Sequence, residues 1–140
     1  MIKYKLLSEG AQAPVRRTDG AAGYDLCAAQ VRVIPANTTK PELVDTGVAF
    51  EIPRGWVGLI RDRSGLASRS GLIVVAGVID SDYRGPVMIA MHNVSDRMAI
   101  LDDGYHIAQI LFVPCYMGEL VEADLSETER GANGFGSTGA

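Results

Sequence analysis

Apolar residues in this chain fall in short runs, at 2–7, 24–28, 31–34, 44–52, 57–60, 72–75, 87–92, 98–101 and 105–113. Many of these runs alternate with polar residues, and none keeps the three-to-four spacing of an amphipathic helix. Alternation sends successive side chains to opposite faces of a strand, so each run can cover one side of a core. Turn-forming clusters separate the runs: Asp19-Gly20, Pro35-Ala36-Asn37, Pro53-Arg54-Gly55, Arg84-Gly85-Pro86 and Asp102-Asp103-Gly104. Val78 and Ile79 add a further short strand, and the polar residues after them read as the tip of a hairpin that resumes at Val87. Short strands at regular spacing predict an all-β domain, a sandwich, jelly roll or barrel. At most one helical turn fits, across 65–69, and Gly65 and Gly71 keep it short.

The 140 residues suffice for one domain with its own core. The only shift in composition comes after Glu129. Residues 1–129 therefore read as the domain and 130–140 as a glycine-rich arm. Residues 119–129 are acidic and read as solvated. No apolar run is long enough to span a membrane, and the N-terminal residues lack the apolar stretch of a signal peptide. Cys27 and Cys115 lack metal-ligand spacing and read as reduced thiols of a cytoplasmic protein. A net charge of −4 argues against general nucleic-acid binding, so an anionic ligand would need a local cationic site.

Candidate sites lie where charge and glycine concentrate. Arg130-Gly-Ala-Asn-Gly-Phe-Gly-Ser-Thr-Gly139 has too little to bury to fold alone. It nevertheless carries a cation, an aromatic ring and two hydroxyls, as half of a nucleotide site would. Arg61-Asp-Arg-Ser-Gly-Leu-Ala-Ser-Arg69 concentrates arginine. Gly77-Val-Ile-Asp-Ser-Asp-Tyr-Arg-Gly85 sets a tyrosine between acids and an arginine. Gly20-Ala-Ala-Gly-Tyr-Asp-Leu26 puts small residues before an acid that could face a hydrated metal. Gly104-Tyr-His-Ile-Ala-Gln-Ile110 opens a strand and offers the Gln109 amide. A phosphate-binding loop with lysine, a dinucleotide fingerprint and a paired-cysteine zinc deaminase pattern are all missing from the sequence.

In series, these five segments resemble the motifs of the trimeric deoxyuridine triphosphatases, from Gly20 to Gly139. The resemblance implies a jelly-roll-like fold and a homotrimer with active sites shared between subunits. It implies Mg2+-assisted hydrolysis of dUTP to dUMP and pyrophosphate, which limits uracil in DNA and supplies dUMP for thymidylate synthesis. Partners are then the substrate and two further copies of the chain, with no nucleic acid and no membrane. A viral member would work in the host cytoplasm or nucleus.

Residue by residue, Asp80 matches the acid that activates water, and Tyr83 the ring that excludes a 2′-hydroxyl. The backbone across 76–88, including Ala76, Gly77, Val78 and Met88, matches the uracil edge. Arg63, Ser64, Gly65 and Gln109 match phosphate contacts, and Asp25 the acid that reaches magnesium through water. Arg130, Gly136, Ser137 and Thr138 match γ-phosphate contacts, and Phe135 the ring over uracil.

Two positions depart from the family pattern. Asp62 stands where proline is usual, and such an acid can pair with an arginine. His106 stands where arginine is usual, and imidazole offers no bidentate cation; this departure predicts weaker triphosphate binding or a pH dependence. Two neighbouring readings compete with this one. The deoxycytidine triphosphate deaminases share the fold but usually lack the full arm and the Asp80–Tyr83 pairing. A non-catalytic nucleotide sensor would not need Asp80.

Overall fold

The strands in the computed structural model, which describes residues 1–134, match the alternating runs closely. In chain order they are β1 (Lys3–Leu6), β2 (Tyr24–Cys27), β3 (Arg32–Ile34), β4 (Glu42–Asp45), β5 (Val48–Glu51), β6 (Trp56–Arg61), β7 (Leu72–Val75), β8 (Val78–Ile79), β9 (Met88–Asn93), β10 (Ala99–Leu101) and β11 (His106–Pro114). Every ladder is antiparallel. A four-stranded sheet runs β2-β11-β6-β8, and a three-stranded sheet runs β4-β9-β7. Two-stranded ribbons β1-β5 and β10-β3 complete the described strands. The result is the expected all-β, jelly-roll-like architecture.

The inward residues of both sheets meet in one core. Leu26, Ile60, Ile107 and Ile110 come from the larger sheet, and Val44, Leu72, Ile89 and Met91 from the smaller. Strand β9 shows the two-residue period plainly: Ile89, Met91 and Asn93 are buried while their neighbours are more exposed. Fully burying an Ile or Met side chain contributes about 1.5–3 kcal/mol, enough to fix the register of each strand. Asn93 is the one polar member of that buried row. It donates through Nδ2 to the carbonyl of Arg97 at 2.7 Å and accepts from Ser95 N–H at 3.0 Å, so its burial leaves no polar group stranded.

Three details differ from the sequence reading. The run at 44–52 is two strands, because Thr46 and Gly47 turn the chain between sheets. Gly47 has φ of +61°, and the buried Thr46 hydroxyl donates to the carbonyl of Val87 at 2.8 Å. The helix α1 (Ser64–Ser70) is seven residues long, about two turns rather than one. Gly65 lies in its first turn, where it is tolerated, and Gly71 ends it in the left-handed conformation. Finally, β8 and β9 do not form a hairpin: β8 pairs with β6, whereas β9 pairs with β4 and β7. The polar segment between them crosses from one sheet to the other.

Beyond β11 the chain leaves the sheets. Residues 119–129 are exposed, as their acidity predicts, but so are the apolar side chains Leu120 (93%) and Leu125 (92%). Cys27 and Cys115 are both free thiols.

Candidate active site

Strands β2, β11 and β6 lie side by side, and their register builds the site. Asp25 on β2 is opposite Gln109 on β11, and Gln109 is opposite Arg61 on β6. At the end of β6, the Asp62 carboxylate accepts the N–H of Val74 at 2.5 Å. The Asp62 carbonyl accepts the Gln109 amide at 2.9 Å. Asp62 thus anchors the start of α1 through backbone contacts, and no arginine pairs with it among the described residues. The adjoining segment, Arg63-Ser64-Gly65, lines a cleft of about 390 Å³ together with Asp25 and Gln109. Five of the predicted residues, from three distant segments, therefore meet in one place.

Gly23 makes that meeting possible. A Cβ at this position would lie 2.5 Å from Gln109 Oε1 and 3.2 Å from Gln109 Cβ, so only glycine lets β2 approach the amide this closely.

Charge in the cleft is organised around the Asp25 carboxylate, whose side chain is only 12% exposed. Its Oδ2 accepts from Arg17 Nε at 3.2 Å and lies 3.4 Å from Arg63 Nη2. Oδ1 has no hydrogen-bond partner among the described residues. Arg63 also donates to the carbonyl of His106 at 3.1 Å. The β2–β11 register shifts between His106 and Ala108, and the histidine ring lies beside this group. Its Nδ1 is 3.4 Å from Cys27 Sγ and 3.6 Å from Asp25 Oδ2, and its Nε2 meets Arg17 Nη2.

Burial pushes the His106 pKa below its ordinary value. The Arg17 and Arg63 guanidiniums add to the effect and outweigh Asp25. The ring is therefore neutral at pH 7, and its approach to Asp25 is not an ion pair there. Burial, followed by the nearby Asp25 charge, pushes the Cys27 thiol up, so it stays protonated.

Sequence reasoning missed Arg17, which contacts the cleft residue Asp25, and gave no individual role to Arg69 or Tyr105, which line the cleft. The signal for Arg17 was the Arg16-Arg17 pair ahead of the glycine-rich segment. A bridge between Val15 and Asp25 pins that segment to β2. The two arginines then point different ways. Arg16 lies over the Tyr24 ring, 5.1 Å from its centroid, and Arg17 reaches Asp25.

Asp80 is elsewhere. It comes directly after β8 and lines a second cleft of about 620 Å³ with Asp82, Arg54, Trp56 and Arg84. Ile79 is level with Gly58, three residues along β6 from Arg61 and two strands away from Gln109. Strand geometry puts Ile79 and Gln109 about 14 Å apart, and Asp80 continues away from that end of the sheet. Tyr83 closes the loop: its hydroxyl donates to the carbonyl of Pro86 at 2.9 Å, and its N–H donates to the carbonyl of Asp80 at 3.2 Å. Ala76 and Gly77 turn the chain into β8 with φ of +62° and +100°, and a Cβ on Gly77 would lie 2.8 Å from that of Ile60. Val78 and Met88 are exposed on either side of the Asp80 loop.

Arg130 lines neither cleft. Its Nε donates to the carbonyl of Asn133 at 2.9 Å, within its own turn. Phe135, Gly136, Ser137 and Thr138 lie outside the described residues.

A metal can be tested against these donors. Among the described residues, no three acidic, histidine or cysteine side chains gather as a cage. A single carboxylate oxygen, Asp25 Oδ1, at a cationic cleft fits the outer shell of a hydrated Mg2+ carried by phosphates rather than by protein.

Known proteins share both the sequence and the fold. The family model described as dUTPase matches residues 9–139. The deoxyuridine 5'-triphosphate nucleotidohydrolase of Yarrowia lipolytica is 45% identical over 141 residues, covering 99% of this chain and 88% of the relative. That of Paramecium bursaria Chlorella virus 1 is 42% identical over 136 residues, covering 96% and 95%. A mutant dUTPase of Staphylococcus bacteriophage 80alpha, solved with dUpNHpp, superposes with a TM-score of 0.90 at 31% identity, covering 100% of this chain and 99% of that one. A mutant dUTPase of phage phi11, solved with a structural Mg(II) ion, superposes with a TM-score of 0.81 at 28% identity, covering 89% and 97%. By its sequence over nearly its whole length, and by a fold shared with solved dUTPases, this chain belongs to the dUTPase family.

Proposed function

We propose that the protein hydrolyses dUTP to dUMP and pyrophosphate, with each active site assembled from more than one copy of the chain. The observation that carries this reading is the convergence of Asp25, Arg63, Ser64, Gly65 and Gln109 on one cleft with a surplus of positive charge. Arg63 and Gln109 would bind phosphate oxygens, Arg63 neutralising charge and Gln109 donating a hydrogen bond. Asp25 would hold a hydrated Mg2+ through water. A bound Mg2+ offsets the charge of the triphosphate and helps orient it.

Asp80 acts as the general base. It takes a proton from water as the water oxygen bonds to the α-phosphorus, and the bond from that phosphorus to the bridging oxygen breaks, releasing pyrophosphate. The chemistry needs positioning and charge stabilisation, not a protein nucleophile. The backbone of Ala76, Gly77, Val78 and Met88 would read the uracil edge. The Tyr83 ring, held by its bond to Pro86, would leave no room for a 2′-hydroxyl.

Asp80 and the cationic cleft lie on opposite ends of the larger sheet. A nucleotide bound in the cleft would therefore meet the Asp80 loop of another copy, which supports a homotrimer with shared sites. The exposed Leu120 and Leu125 are apolar surface that such an assembly would cover. Residues 130–140 would then act as an arm over the nucleotide, with Arg130, Gly136, Ser137 and Thr138 on the γ-phosphate and Phe135 over uracil. Residues 1–129 form the domain to which the arm is attached.

The test is pyrophosphate release from dUTP, dTTP, dCTP and UTP by wild type, Asp80→Asn and Tyr83→Ala. Wild type should use dUTP alone. Asp80→Asn should lose roughly 10²–10⁴ in kcat, the usual contribution of a positioned base, while keeping its fold. Tyr83→Ala should gain activity on UTP. Full turnover by Asp80→Asn would remove Asp80 as the base. Ammonia released from dCTP by wild type would point to deaminase chemistry instead.

A further inference from the structure

We propose that Arg17 is a positioning residue of the phosphate cleft, supplying from the loop before β2 the guanidinium that His106 on β11 does not. The inference rests on the dUTP-hydrolysing reading and deepens it.

Arg17 touches both groups that matter. Its Nε donates to Asp25 Oδ2 at 3.2 Å, and its Nη2 meets His106 Nε2. A guanidinium can only donate, so His106 Nε2 must accept. The neutral ring then carries its proton on Nδ1, which faces Cys27 Sγ and Asp25 Oδ2. One side chain thereby fixes the histidine tautomer and occupies the Asp25 oxygen on the wall of the cleft. The other Asp25 oxygen is left without a protein partner among the described residues.

The charge balance around the Asp25 carboxylate depends on Arg17. Asp25 contributes −1, Arg17 and Arg63 contribute +1 each, and the neutral His106 contributes nothing, so the group carries a surplus of one positive charge. Without Arg17 the surplus around Asp25 vanishes, leaving Arg69 as the further cation on the cleft lining, and Arg63 becomes the only arginine on Asp25 among the described residues. It would be drawn onto the carboxylate and away from the triphosphate. Arg17 thus acts through Asp25 and Arg63, keeping Arg63 available as a phosphate ligand. An arginine at position 106 would start beside Asp25, whose Oδ2 lies 3.6 Å from His106 Nδ1, and could serve the same carboxylate. The two positions are therefore alternatives for one cation.

The experiment is a double-mutant cycle on full-length protein with wild type, Arg17→Ala, His106→Arg and the double variant. KM and kcat for dUTP are measured together with the calorimetric Kd of the non-hydrolysable dUpNHpp, with and without Mg2+. Arg17→Ala should raise KM and Kd roughly tenfold, the scale of one charge-assisted hydrogen bond, and change kcat less than threefold. Thermal unfolding should show the fold retained, since the Arg17 side chain is 56% exposed. His106→Arg should restore tight binding in the Arg17→Ala background yet give no gain in wild type, and Arg17→Lys should recover only part of the affinity.

Unchanged KM and Kd in Arg17→Ala would overturn the proposal. So would a gain from His106→Arg that is equal in both backgrounds, or a loss confined to melting temperature. If wild type itself neither binds dUpNHpp nor releases pyrophosphate from dUTP, the functional reading fails first, and the cycle separates the two failures.

Discussion

Gly23 and Gly20 stand three residues apart in the same glycine-rich segment, and the structure assigns them opposite sensitivities. A methyl at Gly20 meets nothing within 4 Å. A methyl at Gly23 would sit 2.5 Å from Gln109 Oε1 and 3.2 Å from both Cβ and Cδ of that residue. The amide oxygen can swing away, but Cβ is tied to β11, which is paired on both sides by β2 and β6. Gly23→Ala should therefore displace the Gln109 side chain and break its 2.9 Å bond to the Asp62 carbonyl. One lost hydrogen bond costs about 1 kcal/mol, and overpacking adds about 1–3 kcal/mol. A total of about 2–4 kcal/mol is readable as a clear drop in melting temperature. Gln109 would also leave the cleft lining, and on its proposed phosphate-binding role KM for dUTP should rise roughly tenfold. Gly20→Ala is the internal control, with stability within about 0.5 kcal/mol of wild type and unchanged kinetics. Calorimetric melting and initial-rate kinetics on both variants decide the matter. If Gly23→Ala matched Gly20→Ala in melting and in KM, the close approach of β2 to Gln109 would not govern the cleft.

The pKa of His106 is depressed in the folded protein, so the unfolded chain binds a proton at a higher pH than the folded one. Stability from this group is complete above the unfolded value near 6.5 and is lost as pH falls toward the folded value. The stability of wild type relative to His106→Gln, measured by urea unfolding, should shrink between pH 7.5 and 5.5; a constant or growing difference would contradict the neutral imidazole. Deleting residues 130–140 should sharply reduce turnover while leaving the melting curve of the β domain intact, and unchanged turnover would remove the arm from the site. Light scattering should give a mass about three times 14.9 kDa, whereas a stable monomer that retained full activity would refute the shared site.

Most of the architecture was legible in the sequence, because strand formation obeys a two-residue alternation that any short window contains. Runs such as 72–75 and 105–113 correspond to β7 and β11 with shifts of at most one residue at either end. The run at 44–52 reads as one strand because both halves are apolar; Gly47 is the only local mark of the break. The cleft on the larger sheet is equally legible. Arg63, Ser64, Gly65, Gln109 and Asp25 stand out by motif order and meet in one cleft.

What only the tertiary structure decided is which of these groups face one another. No local pattern could show that Arg17, Asp25, Arg63 and His106 share one cluster, since residues 17 and 106 are 89 positions apart. Their contact depends on the Val15–Asp25 bridge and on the β2–β11 register with its shift between His106 and Ala108, each set by long-range pairing. The separation of Asp80 from the cleft is likewise a matter of sheet order. The alternation of side chains is a property of single strands and so belongs to the sequence. The distance between strands belongs to the packing of the whole core.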